Sequence, residues 1–233
     1  MGYGGAPDRI HLIRYPGVDL ERFRPSLRAA AREALGLTAR RVVFCPRGLG
    51  EYLNSDVIVA AVAEVVRRDR DVVFVFTSGA SGDSELAKHR ELARQLGVAP
   101  YCRWEGQVPW ELMPRYYAAS DVMVSISSND SLPNCMLEAM ACGIPLVMGD
   151  IPPIREWIDG DDAAFLVPCR DAAALAAAVC GVFDSEPLAR RFAERNLETV
   201  RARADARRNN EQIKSLVRRS ASAAGRVGGG VNP

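Results

Sequence analysis

Short, apolar, β-branched runs alternate with longer helix-patterned stretches along this chain, and few folds accept that alternation. The runs are residues 41–46 (RVVFCP), 71–77 (DVVFVFT), 101–105, 121–126 (DVMVSI), 144–148 (IPLVM) and 164–167. Ala/Leu/Glu/Arg-rich stretches at 55–68, 83–96, 110–119, 133–142, 153–158 and 171–183 lie between them. The runs are continuously apolar, as in a parallel sheet covered on both faces. Strand–helix repetition at this spacing predicts an α/β fold, a doubly wound parallel sheet. Ser55 and Asp171 are expected N-caps, and Gly97 and Gly143 expected residues just past helix ends.

Composition sets the outer limits. A chain of 233 residues with 48% hydrophobic and 25% charged residues can bury a core without disulfides or metals. The net charge of +1 supplies no general attraction to nucleic acid. Six scattered cysteines without a C-x-x-C pair point to reduced, buried thiols. No ligand spacing suggests a metal, no P-loop occurs, and Gly48-x-Gly50 is too short for a dinucleotide fingerprint. No cofactor is expected. His11 and His89 are expected to be structural or solvated, with no plausible nucleophile near either. The polar N-terminus is no signal peptide, so a cytoplasmic location is expected.

The chemistry is expected after the run at 121–126. A polar loop, Ser127-Ser128-Asn129-Asp130-Ser131-Leu132, leads to Pro133, which opens an amphipathic helix. Free N–H groups and the helix dipole form an anion site there, with Ser131 and Asn134 adding short polar side chains. Glu138 lies eight residues after Asp130. Its carboxylate repels phosphate, so its expected task is to accept hydrogen bonds from sugar hydroxyls. Asp130 contacts a transferred sugar or braces the loop; taken alone, the two acids read as an exposed loop acid and a solvated helix acid. The apolar stretch after Glu138 argues against an open surface for it. Gly79, with Ser78 and Ser81, follows the run at 71–77 and serves either a ligand's close approach or a plain turn.

The run DSLPNCMLEAMACGIPLV resembles the acid-x7-acid motif of retaining family-4 glycosyltransferases with the GT-B fold, with Asp130 in place of the usual first Glu. Tyr15 to Pro25 resembles that family's Pro-x-Gly-Val-Asp-x-x-x-Phe-x-Pro segment. Arg103 to Val108, Tyr116 to Val122 and Arg155 to Ile158 match further parts, so the likeness covers roughly residues 10–215. It implies a Rossmann-like, C-terminal donor-binding half of a GT-B enzyme. A nucleoside diphosphate sugar would lie across the strand ends. Glu138 would hold ribose, Ser131, Leu132, Pro133 and Asn134 would line diphosphate and sugar, and Gln107 and Val108 would bound the base. The loop at Gln107 and Val108 could as well be an ordinary β–α turn. Arg47, after the first run, would stabilise the leaving diphosphate. Leu53 stands where the family commonly has Lys, which leaves more of that task to Arg47 and the helix N-terminus.

The expected organisation is an interdomain segment (1–25), the nucleotide-sugar domain (26–186), C-terminal crossover helices (187–219) and a disordered tail (220–233). The expected partners are the donor and an N-terminal GT-B domain, in the same chain or a separate one. Apolar surface on the C-terminal helices should lack cover without that half. Those helices are Arg-rich; a solvated, salt-bridged pair is favoured over contact with anionic lipid at the inner membrane face. The alternative to an enzyme half is a non-catalytic nucleotide-sugar-binding or assembly module, or a truncated fragment.

Overall fold

The computed structural model describes residues 17–79, 81–158, 160 and 162–227. Six parallel strands form one sheet in the order β3-β2-β1-β4-β5-β6. They are β1 (Arg41–Cys45), β2 (Val72–Thr77), β3 (Cys102–Glu105), β4 (Val122–Ser125), β5 (Leu146–Gly149) and β6 (Phe165–Val167). The helices are α1 (Arg28–Leu35), α2 (Ser55–Arg68), α3 (Asp83–Gln95), α4 (Met113–Ala119), α5 (Asn134–Ala141), α6 (Pro152–Arg155), α7 (Ala172–Asp184), α8 (Glu186–Arg203) and α9 (Ala206–Val227). The expected doubly wound fold is present.

The continuous apolar runs divide by strand period. Val42, Phe44, Met123, Leu146 and Met148 face a core shared with α1, α4, α5 and α8. Val43, Cys45, Val122, Val124 and Val147 face the opposite core, shared with α2, α3 and α7. Both faces are dry, which is why the strands show no polar alternation. Five of the six cysteines are buried, Cys169 is half-buried, and all are free thiols.

β1 and β4 pair over only two positions, Val43↔Val122 and Phe44↔Met123. Asp121 secures that seam. Its Oδ2 accepts from the Val42 N–H at 2.7 Å and from Arg32 Nη2 at 2.6 Å, and its Oδ1 accepts from Arg28 Nη1 at 2.8 Å. Its own N–H donates to Val42 O at 2.9 Å. The arginines belong to α1, a helix that the runs above do not include. α1 has one buried residue, Ala31, so it lacks the apolar stripe by which helices are read; its arginines and the turn at Gly36 (φ 61) hold it.

Several boundaries shift. Asn54, not Ser55, caps α2, in the left-handed region at φ 53. Ser55 instead spends its hydroxyl inside the protein. Since His89 Nδ1 faces the Glu85 carbonyl at 2.7 Å, it carries the ring proton, and Ser55 Oγ donates to His89 Nε2 at 2.7 Å. His89 is therefore structural, one of the two roles expected of it: it and Ser55 are buried and tie α2 to α3, while His11 lies outside the described residues. Pro133 is the cap of α5 rather than its first residue. The stretch 110–119 splits into a 3₁₀ turn, Trp110–Leu112, and α4. Asp171 caps α7 as expected, accepting from Ala174 N at 2.9 Å.

α8 packs on α5, so its apolar face is covered within this chain. α9 continues past Ser220 to Val227 where disorder was expected, since Ala221, Ala223 and Ala224 favour helix. Residues 1–16 of the interdomain segment, including Tyr15 and Pro16, and 228–233 of the tail lie outside the described residues. From Gly17 (φ 77) the segment docks on the α8–α9 joint: Val18 N–H donates to Ala204 O and Ala206 N–H to Val18 O. Arg207–Glu21, Arg190–Glu186 and Lys214–Glu211 are among the ion pairs of the C-terminal helices. Among the described residues no single helix is long and apolar enough to cross a membrane.

Removing the Asp121 carboxylate leaves buried donors and two guanidinium groups without their acceptor. Asp121→Ala is expected to lower unfolding free energy by about 3 kcal/mol. Urea titration checks this, and a loss as small as that of an exposed ion pair would contradict the clamp.

Candidate functional site

In a sheet of this order the neighbouring strands lead away in opposite directions on either side of β1 and β4. The crevice at their carboxyl ends is where open α/β sheets bind ligands. The loop after β1 delivers Arg47 to it and the loop after β4 delivers Asp130.

Arg47 Nη1 lies 2.7 Å from Asp130 Oδ2, yet that oxygen receives no well-aimed N–H. The contact is Coulombic rather than a directed hydrogen bond. Asp130 Oδ1 accepts from the Ser131 N–H at 2.8 Å. That amide, expected to face an anion, is thus turned onto the acid beside it. Ser131 and Asn134 are exposed, Leu132 is half-buried against the core, and Pro133 is buried. No side chain caps the first turn of α5, so its leading N–H groups keep their donor capacity.

Glu138 stands one turn into α5, half-buried. Its Oε2 accepts from the Tyr117 hydroxyl at 2.8 Å. Burial pushes its carboxyl above the usual range, while hydrogen bonds from Tyr117 and Trp110 hold the rise back. The Cys135 thiol, on the first turn of α5, is pushed up to about 12 by burial and senses Arg47, Glu138 and Asp130 together. The three charged residues singled out from the sequence therefore converge on the start of one helix. Tyr117 and Trp110 were missed as members of this site. Nothing local signals them, because they reach Glu138 only when α4 and the 3₁₀ turn at Trp110 pack beside α5.

The remaining candidates surround this centre. Gly79 (φ 54) sits after β2, and a side chain added there would meet Gly48 Cα at 3.3 Å. Its conformation lets the loops after β1 and β2 touch, which accounts for the glycine without a ligand. Ser78 N–H reaches the carbonyls of Glu105 and Gly106, placing the β2 loop beside Gln107 and Val108. Gln107 is exposed and Val108 packs partly on the core. Leu53 is buried, so the position of the missing lysine faces inward. Among the described residues no group of three His, Cys, Asp or Glu side chains could hold a metal ion.

Residues 39–185, more than half of the chain, match the family of glycosyl transferases group 1. The chain belongs to that family. Among group 1 relatives, the D-inositol 3-phosphate glycosyltransferase of Saccharomonospora viridis is 38% identical over 177 residues, covering 72% of this chain and 41% of that protein. The chain thus spans about two fifths of the length of that curated relative. The structure of the Anabaena protein Alr3699/HepE in complex with UDP and glucose superposes with a TM-score of 0.80 at 19% identity, over 92% of this chain and 58% of that one. The C-terminal domain of the Francisella tularensis group 1 glycosyl transferase LpcC gives a TM-score of 0.72 at 19% identity, over 80% of this chain and 97% of that one. These structural likenesses fix a GT-B half as the fold.

Within the group 1 domain Glu138 carries an internal cost. A carboxyl raised on folding favours the native state fully below its unfolded value, near 4.5, and that contribution is lost as pH rises through the folded value. Glu138→Gln keeps an acceptor for Tyr117 and removes the charge. The variant is expected to melt above the wild type at pH 7, with the gap closing as pH falls toward 4.5. Equal melting curves at both ends of this range would show that burial of the charge is without cost.

Proposed function

We propose that the chain is the donor-binding half of a retaining, family-4-type glycosyltransferase. It holds a nucleoside diphosphate sugar, and transfer to a saccharide or lipid-linked acceptor requires an N-terminal GT-B domain. The observation that carries this reading is the meeting of Arg47 and Asp130 over the start of α5, with Glu138 on the next turn.

Each group has a task matched to its chemistry. A diphosphate competes with Asp130 for Arg47, whose forked guanidinium suits two phosphate oxygens. The uncapped first turn of α5 offers N–H donors to the same anion. As the glycosidic bond breaks, both stabilise charge developing on the leaving diphosphate. Asp130, released from Arg47, turns a carboxylate toward the transferred sugar. Glu138 keeps acceptor capacity beyond the bond from Tyr117 and takes ribose hydroxyls. UDP and glucose in the Anabaena neighbour support a nucleotide sugar as ligand. Retention is proposed on the likeness of the acidic motif to retaining enzymes.

Thermal melting with UDP-, GDP- and ADP-sugars tests the reading. A bound donor at a hundredfold excess over Kd should add about 2.7 kcal/mol to stability. Arg47→Ala should weaken binding about tenfold or more, and Glu138→Ala should also weaken it. Absence of a shift with every nucleotide at millimolar concentration would reject a donor site.

A further inference from the structure

The loops that carry Arg47 and Asp130 belong to strands joined over only two register positions, and their separation decides whether one anion can touch both. Several contacts bridge them. One is the Arg47–Asp130 ion pair at 2.7 Å, and another is the Ser128 N–H donating to Tyr52 O at 2.9 Å. A further one is the side chain of Asn54. Its Nδ2 donates to Ile126 O and to Ser128 Oγ, each at 2.7 Å. Its Oδ1 accepts from Arg170 Nη1 at 3.0 Å, which brings in the loop after β6. The amide thus uses both donor hydrogens and joins three loops at the carboxyl edge of the sheet. It is 1% exposed.

Among the described residues Asn54 is the one non-glycine at positive φ, 53°. Left-handed backbone is costly for a residue with a Cβ, and glycine would adopt it freely. Asparagine tolerates the region better than most side chains. The backbone alone therefore calls for glycine, and what asparagine adds is the reach of its amide to Ile126 and Ser128.

The contacts differ in how a donor affects them. A diphosphate that takes Arg47 dissolves the Arg47–Asp130 pair at the moment the loops must hold their spacing. The Asn54 bond to Ile126 is buried, that to Ser128 is partly buried, and neither involves Arg47 or Asp130, so they persist. We infer that Asn54 is a positioning residue for the donor: it fixes the gap between the Arg47 loop and the Asp130 loop, so that phosphate meets Arg47 and the α5 N-terminus together. This inference rests on the donor-site reading above.

The test measures Kd by calorimetry, well below the melting temperature, for whichever of UDP, GDP and ADP the wild-type chain binds. Asn54→Gly keeps the left-handed backbone and removes the amide; it is expected to weaken binding about tenfold. Arg170→Ala removes one exposed partner of the latch, leaves the fold intact, and is expected to weaken binding a few-fold. The decisive readout is coupling. In an Arg47→Ala background Asn54→Gly should cost little further affinity, because the residue it positions is gone. A purely structural asparagine would lower the melting temperature and leave Kd of the folded chain unchanged. Asn196→Ala, which breaks a buried bond to Ala163 O on α8, is the control for that outcome. Unchanged Kd in Asn54→Gly, or full additivity with Arg47→Ala, overturns the inference. If Asn54→Gly does not fold, an unchanged Kd in Arg170→Ala overturns it. If the wild type binds none of the three nucleotides, the donor-site reading falls first and the inference falls with it.

Discussion

The short pairing of β1 with β4 is the constraint on which the rest of this molecule depends. Two register positions join the halves of the sheet, against five between β1 and β2. An ion pair stands at each end of that seam, and the two are built differently. At the amino end Asp121 is buried and saturated by two guanidinium groups and a backbone N–H. Breaking such a set strands desolvated groups, so it behaves as a fixed joint. At the carboxyl end Asp130 receives one misdirected guanidinium and one backbone N–H. Its pair with Arg47 lacks an aligned N–H, so it is the less firmly held of the two. The donor site proposed above would thus have a rigid joint behind it and a looser one in front.

Glu138 shows the same division within a single helix. α5 is otherwise buried along Cys135, Met136, Leu137, Ala139, Met140 and Ala141. A carboxylate in that company pays for its desolvation, which is the origin of its raised pKa. Tyr117 is fully buried, and its own hydroxyl is pushed well above the ordinary range by burial and then by Glu138. It remains a donor at every working pH and holds the carboxylate in one orientation. An apolar residue would suit the packing of α5 better at position 138, so the acid is the point at which that helix departs from local consistency.

How much of this was legible in the sequence follows from where each signal lives. The strands were legible because burial on both faces writes them as unbroken apolar runs. The nearness of Arg47 and Asp130 was legible because each follows a strand whose carboxyl end faces the same crevice, and Glu138 because it lies one turn into the helix that comes next. α1 was not, since its anchor is a pair of arginines meeting Asp121, far away in the chain. The hydroxyl and indole on Glu138 were hidden for the same reason. Ser55 misled because a cap is read from residue type, while the structure turns the chain one residue earlier, at Asn54. Gly79 was ambiguous as sequence; its close approach to Gly48 shows that a loop contact suffices.

The uncovered apolar surface is divided differently from what the C-terminal helices suggest as sequence. α8 is closed against α5, and Phe192 and Val200 are buried. Among the described side chains of α9 the large apolar one left in water is Val217, 62% exposed. At the rim of the crevice, by contrast, Tyr52 is 60% and Trp110 47% exposed. Trp110 carries the Arg22 guanidinium over its ring at 4.0 Å and also bonds Glu138, so it joins the rim to the site floor. The chain therefore closes α8 on its own core and leaves Trp110 accessible next to Glu138.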